Sequence, residues 1–375
     1  MYASIGMSAG WRRTARALAL CLAASAPQAF AQSPPTAPTP QTAAAPRSAH
    51  ADVPGRVKIT MQAAFNPGVS VLGESAKQFA RSLRAMSGGA VVVRILEAGA
   101  RAPTVDLLDA VVRGDVEAAF TTPFYAASKA PALLLFAAVP FGPTEHEYVS
   151  WMIDGDGGKL HRGIYERLGV HALMCGVAGP EAGGWFRNEV TTVADLKGQR
   201  VRYVGLGGDV MARFGAEIVT VPAGELFHKL QEGRLDAAEF SMPSVDRAIG
   251  FEKLSMIYYF PGWHQPATVL DFYMRKDAWD ALGPDRQAQI EIACRANIAW
   301  TLSRGPAEQA RALDFFRKQG VSIRRWPASV LDAFRETSSD VLRERADKDP
   351  EFKLVLDNLR QFLDGPRAWS RLSRP

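Results

Sequence analysis

The sequence predicts an α/β protein of two lobes, extended at its C-terminal end by long helices. Three observations predict this. At 375 residues the chain exceeds one ordinary core and suits two units of roughly 100–200 residues. Strand-like and helix-like segments alternate along it, as in sheets built from βαβ units. A stretch of the first half also returns, without gaps, in the second.

Order is expected to begin near Arg56. Val57, Ile59 and Met61 alternate with Lys58 and Thr60, the period of a strand. Leu72, Ala76, Phe79, Leu83 and Met86 share one helical face, and Gly88-Gly89 ends that helix. Val91 to Leu96 reads as a second strand, Thr104 as the cap of a helix running to about Arg113, and Val116 to Thr121 as a third strand.

The internal echo has an offset of 119 residues. Asp106 to Ala119 (DLLDAVVRGDVEAA) aligns with Glu225 to Ala238 (ELFHKLQEGRLDAA). Each reads as a helix, a glycine C-cap and a short buried strand. Such units resemble one another in many proteins, but a repeat also suits two lobes of one architecture. Ligands of open α/β sheets bind beyond the carboxyl ends of the strands. The segments Thr121 to Tyr125 and Glu239 to Ser241 are therefore expected to face each other across a cleft. Residues 285–318 and 328–363 read as mainly helical, with Val330, Phe334, Val341 and Leu342 packing across lobes or against a partner.

The N-terminal 31 residues read as a secretory leader. Arg12, Arg13 and Arg16 precede the apolar run Ala17 to Ala24, and Ala29-Phe30-Ala31 is a cleavage signal. The apolar run falls far short of the roughly 20 residues that span a bilayer. Removing three arginines and no acid takes the formal net charge from +5 to +2, so the sequence pI of about 9.1 overstates the basicity of the mature chain. Without a dense Lys/Arg stripe interleaved with aromatics, nucleic acid is not an expected partner. Residues 32–55, rich in Pro, Ala and Thr, read as a disordered linker. Cys175 and Cys294 remain after the leader; export permits a disulfide, but the apolar setting of each suggests two separate buried thiols.

Motifs of catalysis are weak. Gly6-Met-Ser8-Ala-Gly10 fits a nucleophile elbow only in the leader, and Gly205-Leu-Gly207-Gly208 lacks the third glycine of a dinucleotide fingerprint. Arg202, just before that glycine turn, sits at a strand end from which its planar fork can meet a carboxylate; a structural salt bridge is the alternative. Glu181 lies in a loop and Glu239 ends an apolar strand. A buried carboxylate needs a partner, either an arginine or a hard cation.

Together these segments resemble the solute-binding proteins of TRAP transporters, the DctP type, closest to the subgroup that binds 2-oxo or 2-hydroxy acids with a metal ion. The resemblance rests on Ala138 to Gly142, Gly183 to Arg187, Asp195 to Gly198, Val201-Arg-Tyr203, Gly205 to Gly208, Asp236 to Glu239 and Tyr258 to His264, and spans about 57–370. It implies the two-lobe periplasmic solute-binding protein fold with a hinge. The lobes would be 56–172 plus about 265–310, and 173–264 plus about 311–327, followed by a helical segment over 328–375. It implies Arg202 as a clamp on the substrate carboxylate, and Glu239 with the Phe240 carbonyl as metal ligands. It further implies aromatic walls from Phe124 and Tyr125, delivery to membrane permease subunits, and dimerisation through the C-terminal helix. This chain departs from the pattern at Glu181, where the subgroup has glutamine, and at Phe240, where it has tryptophan. The extra carboxylate of Glu181 could favour Ca²⁺ over Na⁺, stay protonated, or meet a donor of another substrate. A receptor-docking sensor and an exported enzyme acting on a carboxylate are the alternatives.

Overall fold

The structure is a computed structural model and describes residues 55–373. The leader expected over 1–31 and all of the expected linker except Gly55 lie outside the described residues.

Two sheets organise the chain. The first holds β1 (Val57–Ala63), β2 (Val91–Leu96), β3 (Ala118–Thr121), β4 (Val170–Ala178) and β10 (Thr268–Arg275), in the order β2-β1-β3-β10-β4. The second holds β5 (Gly184–Phe186), β6 (Arg200–Arg202), β7 (Glu217–Ile218), β8 (Ala237–Ala238), β9 (Ile257–Phe260) and β11 (Ser322–Arg325), in the order β11-β9-β5-β8-β6-β7. Helices α1 (Leu72–Met86), α2 (Leu107–Arg113), α3 (Glu145–Ile153) and α4 (Gly157–Arg167) belong to the first half of the chain. Helices α5 (Gly205–Arg213), α6 (Leu226–Gln231) and α7 (Pro243–Ile249) follow within the second-sheet region. Helices α8 (Lys276–Asp280), α9 (Pro284–Lys318), α10 (Ala328–Lys348) and α11 (Pro350–Ser373) complete the chain.

The repeat seen in the sequence is a repeat of topology. β3 pairs parallel with β1 and antiparallel with β10. Its counterpart β8 pairs parallel with β6 and antiparallel with β5. In each half a helix feeds the strand through a left-handed glycine, Gly114 at φ 84° and Gly233 at φ 68°. The two-lobe α/β expectation is met.

Several local expectations change. Thr104 does not cap a helix: it opens a 3₁₀ turn, and its hydroxyl donates to the Ala64 carbonyl at 3.5 Å. β3 starts at Ala118, later than Val116, and Met86 is exposed while the other four residues of its face are buried. β4 stays in the first sheet to Ala178, so the chain leaves that sheet later than the boundary at 172/173. The stretch 328–363 is mainly helical as expected, and it is divided into two helices. The Asp349 carboxylate accepts from the backbone of Glu351 at 2.9 Å and Phe352 at 3.0 Å, which starts a new helix with Pro350 in its first turn. Cys175 and Cys294 are not separate thiols but a disulfide. They sit on β4 and α9, which pack face to face, so residues far apart in sequence meet in an apolar contact.

Three crossings join the sheets. Residues 179–183 lead from β4 to β5, and 261–267 lead back from β9 to β10. The third is α9: Thr301 accepts from Val177 N of β4 at 3.1 Å, whereas Gln309 accepts from Ser244 N of α7 at 2.8 Å. Val330, Phe334, Val341 and Leu342 pack within the chain. Phe334 meets Trp263, Trp326 and Phe214 at ring distances of 4.5, 5.5 and 5.6 Å. α10 is tied to α5 by Arg345–Asp209 at 2.7 Å, and α11 to α3 by Trp151 donating to Asn358 at 2.8 Å.

Candidate functional site

The candidate site forms where strand ends and two crossings converge. β6 ends at Arg202 and β8 ends just before Glu239; their parallel pairing places Arg202 opposite Ala238. Glu239 N donates to the Arg202 carbonyl at 3.0 Å, which locks the two ends in register. The Arg202 side chain then returns the contact. Its Nη1 donates to the Glu239 carbonyl and to Glu239 Oε1, both at 2.7 Å. Among the described residues neither Nε nor Nη2 of Arg202 makes a hydrogen bond, so the rest of the fork can receive an acid. The guanidinium carbon lies 5.7 Å from the Phe240 ring centre, an arrangement that holds the plane of the fork.

Glu181 comes from the first crossing. Its N–H donates to the Gln265 carbonyl of the second crossing at 3.2 Å. A Cβ at Gly262 would stand 2.1 Å from the Glu181 carbonyl oxygen, so only glycine admits this approach. The second crossing also delivers His264, which sequence reasoning assigned no role. Its Nε2 lies 3.3 Å from Glu181 Oε2 and 3.7 Å from Glu239 Oε2. His264 is 2% exposed and Glu239 1%. Ligand atoms of the three side chains lie within 4.8 Å of one another. Neither ring nitrogen of His264 makes a hydrogen bond of good geometry.

Burial on its own would lower the His264 pKa, but the two carboxylates outweigh it and hold it up to about 9. Burial also acts to raise the Glu239 pKa, yet Arg202 and His264 prevail and keep it below the ordinary carboxylate value. Glu181 ends up raised, by burial first and the Glu239 charge second, against the opposing pull of His264 and Arg202. The pair therefore differs: Glu239 is shifted below the ordinary carboxylate value and Glu181 above it.

The glycine turn after Arg202 is a packing device. Gly205 has φ 56°, and a Cβ there would come 3.3 Å from the Phe124 ring. A Cβ at Gly207 would come 2.8 Å from the His264 Cβ. Phe124 and Tyr125 follow β3, with ring centres 5.6 Å apart, and Phe65, after β1, lies 6.2 Å from Tyr125. Burial raises the Tyr125 pKa, with the Arg202 charge opposing and the Glu181 charge adding. Phe124, Tyr125, Glu181, Arg202, Glu239 and Phe240 thus converge, and His264 and Phe65 join them. His264 stood in the Tyr258 to His264 run; nothing in a lone histidine beside tryptophan marks it as facing two carboxylates. Asp246 was also missed. It accepts from Trp185 Nε1 at 2.9 Å, Tyr258 OH at 2.8 Å and Ser241 N at 3.2 Å.

Residues 63–349 match the model of DctP, the bacterial extracellular solute-binding protein family 7. The chain belongs to that family. A monocarboxylate 2-oxoacid-binding periplasmic protein of Nostoc sp. is 33% identical over 299 residues, 80% of this chain and 82% of its own. A TRAP transporter solute-binding protein of Bordetella bronchiseptica, with calcium and picolinate, matches with TM-score 0.80 and 28% identity, over 84% of this chain and 94% of its own. A TRAP periplasmic solute-binding protein of Pseudoalteromonas atlantica, with sodium and pyruvate, matches with TM-score 0.79 and 30% identity, over 84% and 97%. The chain is a solute-binding protein, and the exported-enzyme alternative is set aside. Among the described residues no helix is long and apolar enough to cross a membrane.

Proposed function

We propose that this DctP-family protein captures a small monocarboxylate, a 2-oxo or 2-hydroxy acid, in the periplasm and delivers it to TRAP permease subunits in the membrane. The observation that carries the reading is Arg202. One nitrogen of its fork is fixed by Glu239, and the others remain to pair with an acid beside a carboxylate cluster. A carboxylate docking there gains charge-assisted hydrogen bonds from a guanidinium already held in place. Phe124, Tyr125 and Phe240 supply walls that exclude water and favour a short carbon skeleton. The relatives that bind a 2-oxoacid or pyruvate support this substrate class.

A metal ion fits the same residues. Glu181 and Glu239 bring two carboxylates to a buried point, and their ligand atoms and that of His264 lie within 4.8 Å of one another. Glu181, Glu239 and the Phe240 carbonyl would hold the ion, Na⁺ or Ca²⁺. When bound, it would supply a positive charge for the acid's second oxygen. The crossings at 179–183 and 261–267 carry Glu181 and His264, so closure of the lobes about them would assemble the site.

The leader over 1–31, with cleavage after about Ala31, would direct export. A first change of lobe after β4, boundaries near 264/265 and 310/311, and a homodimer through α11 are part of the reading. A sensor that presents its ligand to a receptor would use the same site. Titrating pyruvate into the purified protein, before and after chelation, tests the proposal: binding that weakens on chelation is expected. No binding of any 2-oxo or 2-hydroxy acid, with or without ions, would overturn it.

A further inference from the structure

We infer that Asp246 is a positioning residue for the proposed metal site: it fixes the peptide plane that aims the Phe240 carbonyl at the ion. The inference rests on that site and deepens it, since Asp246 is not itself a ligand there. Its first support is covalent geometry. The Phe240 carbonyl and the Ser241 N–H belong to one planar peptide group, so holding the N–H sets the direction of the oxygen. Asp246 Oδ1 accepts from that N–H at 3.2 Å. The bond also draws charge toward the carbonyl oxygen, because linked hydrogen bonds polarise one another.

The carboxyl is in turn held fast. Its Oδ2 accepts from Trp185 Nε1 at 2.9 Å and from Tyr258 OH at 2.8 Å. Trp185 of β5 and Tyr258 of β9 are register partners, and their rings stack with centres 3.9 Å apart. Asp246 and both rings are fully buried. A side chain locked in this way by packing and hydrogen bonds can hold a further group in one position. The choice of a carboxyl also fits the role. A neutral amide has one oxygen, for the rings or for Ser241, whereas a carboxyl has two and serves both.

The same segment reaches Glu181. The Ser241 carbonyl accepts from Ala182 N, the residue after Glu181, at 3.2 Å. Asp246 thus anchors the segment that carries Glu239 and Phe240. Through Ser241 it also anchors the crossing that carries Glu181.

The test uses the full mature protein and one labelled peptide group. Phe240-Ser241 is the single Phe-Ser pair in the sequence. Carbonyl-¹³C phenylalanine with ¹⁵N serine therefore gives one amide signal in magnetic resonance that reports both ends of this group. Adding Ca²⁺ or Na⁺ to the chelated wild type is expected to move its carbonyl shift. Asp246→Leu keeps the bulk and removes the acceptor. It should weaken Ca²⁺ binding about 10- to 100-fold, the loss usual when a partner behind a metal ligand is removed. Pyruvate affinity of the chelated variant should change less than that, a split that general loosening would not give. Tyr258→Phe removes a bond to the same carboxyl but leaves the one from Ser241, so stability should fall with ion affinity nearly unchanged. Wild-type ion affinity in Asp246→Leu, or equal losses in both variants, would overturn the inference and leave the metal site standing. If Asp246→Leu does not fold, the wild-type signal decides: a carbonyl shift that ignores a bound ion would equally overturn it. No ion binding by the wild type, with acid affinity indifferent to chelation, would overturn the metal site itself and this role with it.

Discussion

One guanidinium nitrogen of Arg202 holds Glu239 twice, through its backbone carbonyl and through Oε1, each at 2.7 Å. The contact joins the end of β6 to the residue after β8, so a candidate substrate clamp and a candidate metal ligand are one mechanical unit. Their exposures, 15% and 2% of the side chains, place the pair where a broken partner is costly. Removing one member of a buried pair costs about 3–5 kcal/mol. Glu239→Ala is therefore expected to weaken acid binding even where no ion is present, because it also frees Arg202. Calorimetry on chelated protein checks this; unchanged affinity would separate the two residues.

Gly207→Ala tests the packing of α5 against the second crossing. The added methyl meets the His264 Cβ at 2.8 Å, and neither backbone-proximal atom can swing away. Overpacking of this kind costs about 1–3 kcal/mol. Thermal denaturation should show that loss, and acid affinity should fall with it, although residue 207 bears no functional group.

Asp246 gives a pH signature. Burial raises its pKa well above the ordinary value, aided by the Glu181 and Glu239 charges and opposed by the bonds from Trp185 and Tyr258. A carboxyl raised on folding contributes its full stability below its unfolded pKa of about 4, and that contribution falls as pH rises toward the folded value. The slope is at most about 1.4 kcal/mol per pH unit. Asp246→Asn removes this dependence. Denaturant midpoints at increasing pH above 4 should therefore shift in favour of the variant; a difference constant with pH would contradict the assignment.

The fold was legible where periodicity and glycine placement carry it. The 119-residue echo marks two strands with the same neighbours in two sheets, because a helix, a left-handed glycine and a buried strand each leave a local pattern. The site was legible in part. Arg202 and Glu239 stand at strand ends, and Phe124 and Tyr125 follow another. His264, Phe65 and Asp246 could not be found this way, because their roles arise from contacts between segments far apart in sequence. The disulfide escaped for the same reason: an apolar setting fits a buried thiol and a buried bridge alike, and only the packing of α9 on β4 decides.

That disulfide yields a stability prediction. Cys175 and Cys294 are 119 residues apart in sequence. Closing a loop of that size constrains the unfolded chain by roughly 4–5 kcal/mol in the entropy model, and measured losses run at about 2–5 kcal/mol. Cys175→Ala/Cys294→Ala should lower the denaturation midpoint by this order while leaving acid affinity nearly intact, since the pair lies in the β4–α9 core and not among the site residues. An unchanged midpoint would show that the bridge contributes nothing.

The capture of an acid by Arg202 is tested most directly by titrating pyruvate calorimetrically into the wild type, Arg202→Lys and Arg202→Ala under one ion condition. Lysine keeps the charge but cannot hold Glu239 and a carboxylate with one planar fork. Losing a buried charged partner costs about 2–5 kcal/mol, or roughly 30- to 5,000-fold in affinity. The account predicts a loss of that size in both variants, larger for alanine. Pyruvate affinity unchanged in Arg202→Ala, with the protein still folded, would contradict it.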